Sequence, residues 1–195
     1  MIRRPPRSTL SPSSAASDVY KRQPKWKVHR YFSNKLGIKR DIAEKVDRII
    51  DFEKEFKGYR IGHDWIKGNI GRFTLAIELF YKEFGMEGVK AMLLHGALDY
   101  ADQLLKRGFS DEEILWRVVA WIKFCGASHI INSVSKLAED KRLDFVMKQN
   151  FSYYSYLRLI NIPPESIIKA SKEVVQFFIR NFNEIIRVIH NFDIL

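Results

Sequence analysis

Apolar positions recur at three- and four-residue spacing through most of the chain, and glycines punctuate the periodic stretches. Trp26, His29, Phe32 and Leu36 share one helical face, and Gly37 supplies a stop. Ile42, Val46, Ile49 and Ile50 line a second helix spanning 38–52. The next stretch, 57–71, carries Gly58, Gly62, Gly68 and Gly71 and reads as a loop. Phe73 to Phe84 is helical and ends at Gly85; Met86 to Arg107 is a long, strongly apolar helix ended by Gly108. Ser110 and Glu113 have the spacing of a capping box, which predicts a helix running to about Phe124. Helical patterns continue over 128–149 and 151–160. Pro163-Pro164 then breaks the chain before a last helix, 165–190. No Asn-Gly or Asp-Gly hairpin signal and no internal repeat occurs. The pattern predicts an all-α fold. Residues 24–195 form a single globular domain of about eight helices, with 26–107 as the candidate metal-site core and 110–195 as a C-terminal helical part.

Residues 1–23 break this pattern. They hold prolines at 5, 6 and 12, five serines and almost no apolar periodicity, which is the composition of a disordered basic tail. The run Ser14-Ala15-Ala16-Ser17-Asp18-Val19-Tyr20-Lys21-Arg22-Gln23 also resembles translated sequencing-adapter read-through. The tail is therefore set aside from the functional reading.

Charge matters less than its total implies. The formal charge is +10 over 195 residues, but the tail contributes Arg3, Arg4, Arg7, Lys21 and Arg22 against Asp18 alone. The remainder of the chain is a mildly basic domain rather than a nucleic-acid specialist. The single cysteine, Cys125, excludes an internal disulfide and a multi-cysteine zinc site. It reads as a buried core thiol in a reducing, cytoplasmic setting. No apolar run is long enough to span a membrane.

The candidate chemistry lies in three of the five histidines. His95 and Asp99, four apart, share one face of the apolar 86–107 helix, and Asp102 stays on that face. A polar stripe on so apolar a helix must face solvent, a partner or a site, because buried carboxylates are costly unless paired or bound to a cation. His63-Asp64 lies in the glycine-rich loop, and His29 is on the inward face of the first helix. Imidazole and carboxylate together suit zinc, iron or manganese, and magnesium through carboxylate.

His29, then His63-Asp64, then a later Asp resembles the HD superfamily of metal-dependent phosphohydrolases. His63-Asp64-Trp65-Ile66-Lys67 looks like that family's HD-x-x-K stretch, and Leu98-Asp99-Tyr100-Ala101-Asp102 like its last-ligand helix. The resemblance covers about residues 26–105. It implies an all-helical fold, a divalent metal (Mn, Mg, Zn or Fe), and hydrolysis of a nucleotide or other phosphoester. By the same resemblance His29, His63, Asp64 and either Asp99 or Asp102 are ligands. His95 joins as a further ligand or phosphate contact, Lys67 touches substrate phosphate, and Arg72 helps stabilise charge. A second resemblance, to zinc-dependent phospholipase C and related single-strand nucleases, rests on Gly62-His63-Asp64 and His95-x-x-x-Asp99. That family's further His-x-x-x-Glu is not matched, since Ser133 follows His129 at that spacing.

Plainer readings use the same residues. His95 and Asp99 also make an ordinary helix pair, His63-Asp64 a turn, and His29 a satisfied core histidine. On those readings the chain is a non-enzymatic helical module that binds a protein or nucleic acid through a basic face. His129 and His190 read as structural. Gly68-Asn69-Ile70-Gly71, flanked by Arg60 and Arg72, is a weaker phosphate cradle. Tyr153, Tyr154, Tyr156 and Arg158 form an aromatic–basic cluster that reads as packing against the last helix, with a nucleic-acid platform as the alternative. That helix is apolar nearly all round, as a core element or a homodimer surface is. Deleting residues 1–23 should change stability by less than about 1 kcal/mol, the usual scale for surface changes away from special features. Loss of cooperative thermal unfolding in the truncated chain would show that the tail belongs to the fold.

Overall fold

The computed structural model describes residues 26–52, 56–59, 70–125 and 162–191. They form six helices: α1 (Trp26–Lys35), α2 (Arg40–Asp51), α3 (Ile70–Lys106), α4 (Asp111–Cys125), α5 (Pro164–Arg180) and α6 (Phe182–His190). No strand occurs among the described residues, where Phe56 and Tyr59 make one isolated bridge. No helix among them is long and apolar enough to cross a membrane. The tail, and the patterns over 128–149 and 151–160, lie outside the described residues. So does the side chain of Cys125.

The glycine signal at 85 marks a break inside α3. Gly85 adopts φ 63° and ψ −153°, non-helical angles that split the span into two helical segments. A side chain is strained at such a positive φ, so glycine suits this corner. The later segment is the centre of the molecule, and α3 packs against every other described helix. Val89, Ala91, Met92, Leu93, Leu94, Ala97, Leu98, Ala101 and Leu104 are all buried. Each large aliphatic among them contributes about 1.5–3 kcal/mol of apolar burial.

The flanking helices start where their sequences direct. At α4 the capping box forms: the Ser110 N–H donates to Glu113 Oε2 at 3.1 Å, and the Glu113 N–H donates to Ser110 Oγ at 3.4 Å. Asp111, Glu112 and Glu113 crowd its first turn, the end where the helix dipole favours acids. Pro164 opens α5, where its missing N–H costs nothing.

The single last helix expected over 165–190 is two helices. The chain breaks at Asn181 (φ −106°, ψ 10°), whose Nδ2 donates to the Phe177 carbonyl at 2.8 Å. The Asn181 N–H donates to the same carbonyl at 3.0 Å. Beyond the break α6 meets α1, where Tyr31 Oη donates to Glu184 Oε1 at 2.6 Å and Lys35 pairs with the same carboxylate. The apolar face of both segments is spent in the core through Ile167, Val174, Phe178, Phe182, Ile185 and Ile189, while Ile179 is left exposed.

Gly96 lets Trp121 of α4 seat directly on α3. A Cβ built there would lie 2.4 Å from the Trp121 ring. Alanine for glycine inside a helix ordinarily gains up to about 1 kcal/mol. Here the rigid indole must move, so Gly96→Ala should instead destabilise by about 1–3 kcal/mol. Chemical denaturation of the variant checks the sign; a gain in stability would mean that Trp121 does not seat against α3.

Candidate functional site

Three helices deliver five acid and imidazole side chains to one buried point. α1 supplies His29 from the face that carries Val28 and Phe32 inward. α3 supplies His95 and Asp99, one turn apart. α2 supplies Asp47 and Asp51, also one turn apart and interleaved with the buried Val46 and Ile50. His29, Asp47, His95 and Asp99 are each at most 2% exposed, and the Asp51 side chain is 8% exposed.

The contacts knit the helices together. His29 Nε2 lies 3.2 Å from Asp99 Oδ1, and its Nδ1 lies 3.8 Å from Asp47 Oδ1. His95 Nδ1 lies 2.8 Å from the same Asp47 oxygen, a hydrogen bond, and its Nε2 lies 3.3 Å from Asp99 Oδ2 and 3.5 Å from Asp51 Oδ1. The two imidazole rings meet edge to face with centroids 4.0 Å apart. Trp26 Nε1 donates to Asp51 Oδ2 at 2.6 Å, tying the outer edge of the cluster to the start of α1. Among the described residues neither ring nitrogen of His29 finds a hydrogen-bond partner.

Among the described residues three carboxylates face two imidazoles, a set of buried donors of the kind that holds a divalent cation. His29, His95 and Asp99 can each present one ligand atom with all three within 4.8 Å of one another, a group able to hold a metal ion.

The ionisation of the pair on α3 follows from these neighbours. Burial alone would drive the His95 proton off, but the Asp99 charge and the bonds to Asp47, Asp51 and Asp99 outweigh it and hold the ring well above the usual imidazole range. Burial likewise opposes the charge on Asp99, and His95 with His29 overcomes it, holding that carboxyl well below its usual range.

Of the residues singled out in the sequence, the structure brings His29, His95 and Asp99 together. Asp102 is buried on the same helix, but its carboxylate pairs with Lys106, four residues on. That pairing only partly offsets burial, which pushes its carboxyl up. His63, Asp64 and Lys67 lie outside the described residues. Arg72 falls in the first turn of α3, with its side chain outside the described ones. Asp47 and Asp51 were not anticipated. Their signal was available: with Ala43, Val46 and Ile50 they occupy the inward positions of α2, where a carboxylate needs a reason. Comparison with known proteins adds nothing to this geometry: no family model, curated protein or solved structure matches the chain.

The His95 and Asp99 directions fix a pH profile for the chelator-treated protein. A raised imidazole stabilises fully below its unfolded value of about 6.5 and loses that contribution as pH rises through the folded value. A depressed carboxyl stabilises above its unfolded value of about 3.9 and loses that contribution as pH falls through the folded one. Stability should therefore plateau between about pH 4 and 6.5 and decline on both sides. Denaturation midpoints across pH check this; a chelated protein that grows more stable from pH 7 to 9 would contradict it.

Proposed function

We propose that the chain is a metal-dependent phosphoester hydrolase of HD type, acting on a nucleotide or another phosphoester. The observation that carries this reading is the convergence of His29, His95 and Asp99 in one buried group fit for a metal ion. A divalent ion bound there lowers the pKa of water and polarises a phosphoryl oxygen. His29, His95 and Asp99 hold and orient it. The HD resemblance adds His63 and Asp64 as ligands, Lys67 as a phosphate contact and Arg72 as a charge partner. The same reading takes the chain as one eight-helix domain working in the cytoplasm, where Cys125 stays reduced. The phospholipase C and nuclease resemblance shares the His95 and Asp99 pair and the phosphoester substrate class, and differs in its last ligand.

Purified protein should retain a stoichiometric divalent metal and hydrolyse bis(p-nitrophenyl) phosphate or a nucleotide. His29→Ala and Asp99→Ala should release the metal and lower hydrolysis by at least about 100-fold, since even outer-shell changes cost 10–100-fold. Their helical circular dichroism should stay that of the parent. An Asp99→Ala chain that hydrolyses as fast as the parent would sink the assignment.

One observation favours a second reading, the non-enzymatic module for an anionic partner. A cleft of about 730 Å³ between α1, α2 and α6 is lined by Lys27, Arg30, Arg40 and Arg187, with Glu184 as its one acid. Arg30→Glu with Arg187→Glu should abolish retention on an oligonucleotide or polyphosphate column if this reading holds. Unchanged retention would dismiss it.

A further inference from the structure

The spacings within the cluster divide its contacts into two kinds. His95 Nδ1 to Asp47 Oδ1, at 2.8 Å, has the length of a charge-assisted hydrogen bond. The contacts around Asp99 are longer: 3.2 Å to His29 Nε2 and 3.3 Å to His95 Nε2, with 3.5 Å from His95 Nε2 to Asp51 Oδ1. Bonds of about 2.0–2.2 Å in a tetrahedral site put donor atoms about 3.3–3.6 Å apart. The Asp99 contacts, at 3.2 and 3.3 Å, lie near that separation, and the 2.8 Å contact does not.

Resting on the metal-site reading above, we infer that the site is a three-helix centre for a divalent transition ion, with His29 Nε2, His95 Nε2 and Asp99 as ligands and Asp47 as the carboxylate that positions the His95 imidazole. Asp47 lies behind the cluster, on the Nδ1 side of both rings, and takes the His95 Nδ1 hydrogen bond. The Nε2 atoms of both rings face Asp99. A carboxylate behind a ligating imidazole in this manner fixes its tautomer and raises its basicity. Asp51 flanks the group, with Oδ2 accepting from Trp26 Nε1 at 2.6 Å and Oδ1 3.5 Å from His95 Nε2.

This ligand set chooses the ion. Two imidazole nitrogens with one carboxylate suit zinc, manganese, iron or cobalt. Calcium wants six to eight oxygens at about 2.3–2.6 Å, and magnesium keeps several waters and prefers oxygen.

Cobalt(II) titration of the full chain tests the inference, because the visible bands of the ion report its ligands independently of turnover. The parent should bind one Co²⁺ per chain, in competition with zinc and not with magnesium. Asp47→Asn should weaken Co²⁺ affinity about 10–100-fold with the band shape kept, and Asp47→Glu should restore part of the affinity. Asp99→Asn should change the band shape as well as the affinity, and Asp51→Asn, which removes only a flanking charge, should keep the band shape. If Asp47→Asn fails to fold, Asp47→Glu serves in its place. Parent-like affinity in Asp47→Asn, or unaltered bands in Asp99→Asn, would overturn the assignment of roles. Failure of the hydrolase reading looks different: Co²⁺ binds and the variants behave as stated, yet no phosphoester is cleaved. A parent chain that takes up no Co²⁺ overturns both.

Discussion

The packing of α1, α2 and α3 depends on reconciling three carboxylates with two imidazoles at the point where these helices meet. Asp47 and Asp51 from α2 approach Asp99 from α3, with His29 of α1 and His95 of α3 between them. An apolar cluster of this volume would hold the same helices together more cheaply. A polar one persists at a stability cost, which is the usual mark of a site rather than of a core. The apolar layers on either side of it, Val28 and Phe32 on α1, Val46 and Ile50 on α2, and Leu94 and Leu98 on α3, offset that cost.

The rest of the fold supports this arrangement. The break at Gly85 frees the later segment of α3 to run as an independent helix through the centre. Trp121 seats on Gly96, next to His95, and brings α4 against that segment. Ser171 Oγ donates to the Ile122 carbonyl at 3.1 Å and joins α5 to α4. Lys90 pairs with Glu173 at 3.2 Å and joins α5 to α3. The ligating atoms are thus carried by helices that are themselves pinned on several sides, which is what a metal centre requires of its scaffold.

Much of this was legible in the chain. The helices over 26–125 follow from apolar periodicity and glycine stops, and the α4 start from its Ser110–Glu113 spacing. His95 and Asp99 stood out because their helix is otherwise apolar, and His29 because it shares a face with Phe32. Asp47 and Asp51 did not, since Arg40-Asp41-Ile42-Ala43-Glu44-Lys45-Val46-Asp47-Arg48 reads as an ordinary amphipathic helix rich in charge. Their one cue was that they share the inward side of α2 with Ala43, Val46 and Ile50. The break at Asn181 was equally hidden, because Phe178, Phe182 and Ile185 continue the apolar rhythm across it without a glycine or proline. The likeness to phosphohydrolases draws on His63, Asp64 and Lys67, outside the described residues, so it stands on the sequence, while the helix-borne cluster stands on geometry.

X-ray absorption on the zinc- or cobalt-loaded full chain addresses the central claim most directly. A nitrogen and oxygen shell at about 2.0–2.2 Å, with the outer-shell scattering of two imidazoles, is the result the three-helix centre predicts. An oxygen-only shell, a sulfur ligand, or a chain that retains no ion after gel filtration would contradict it.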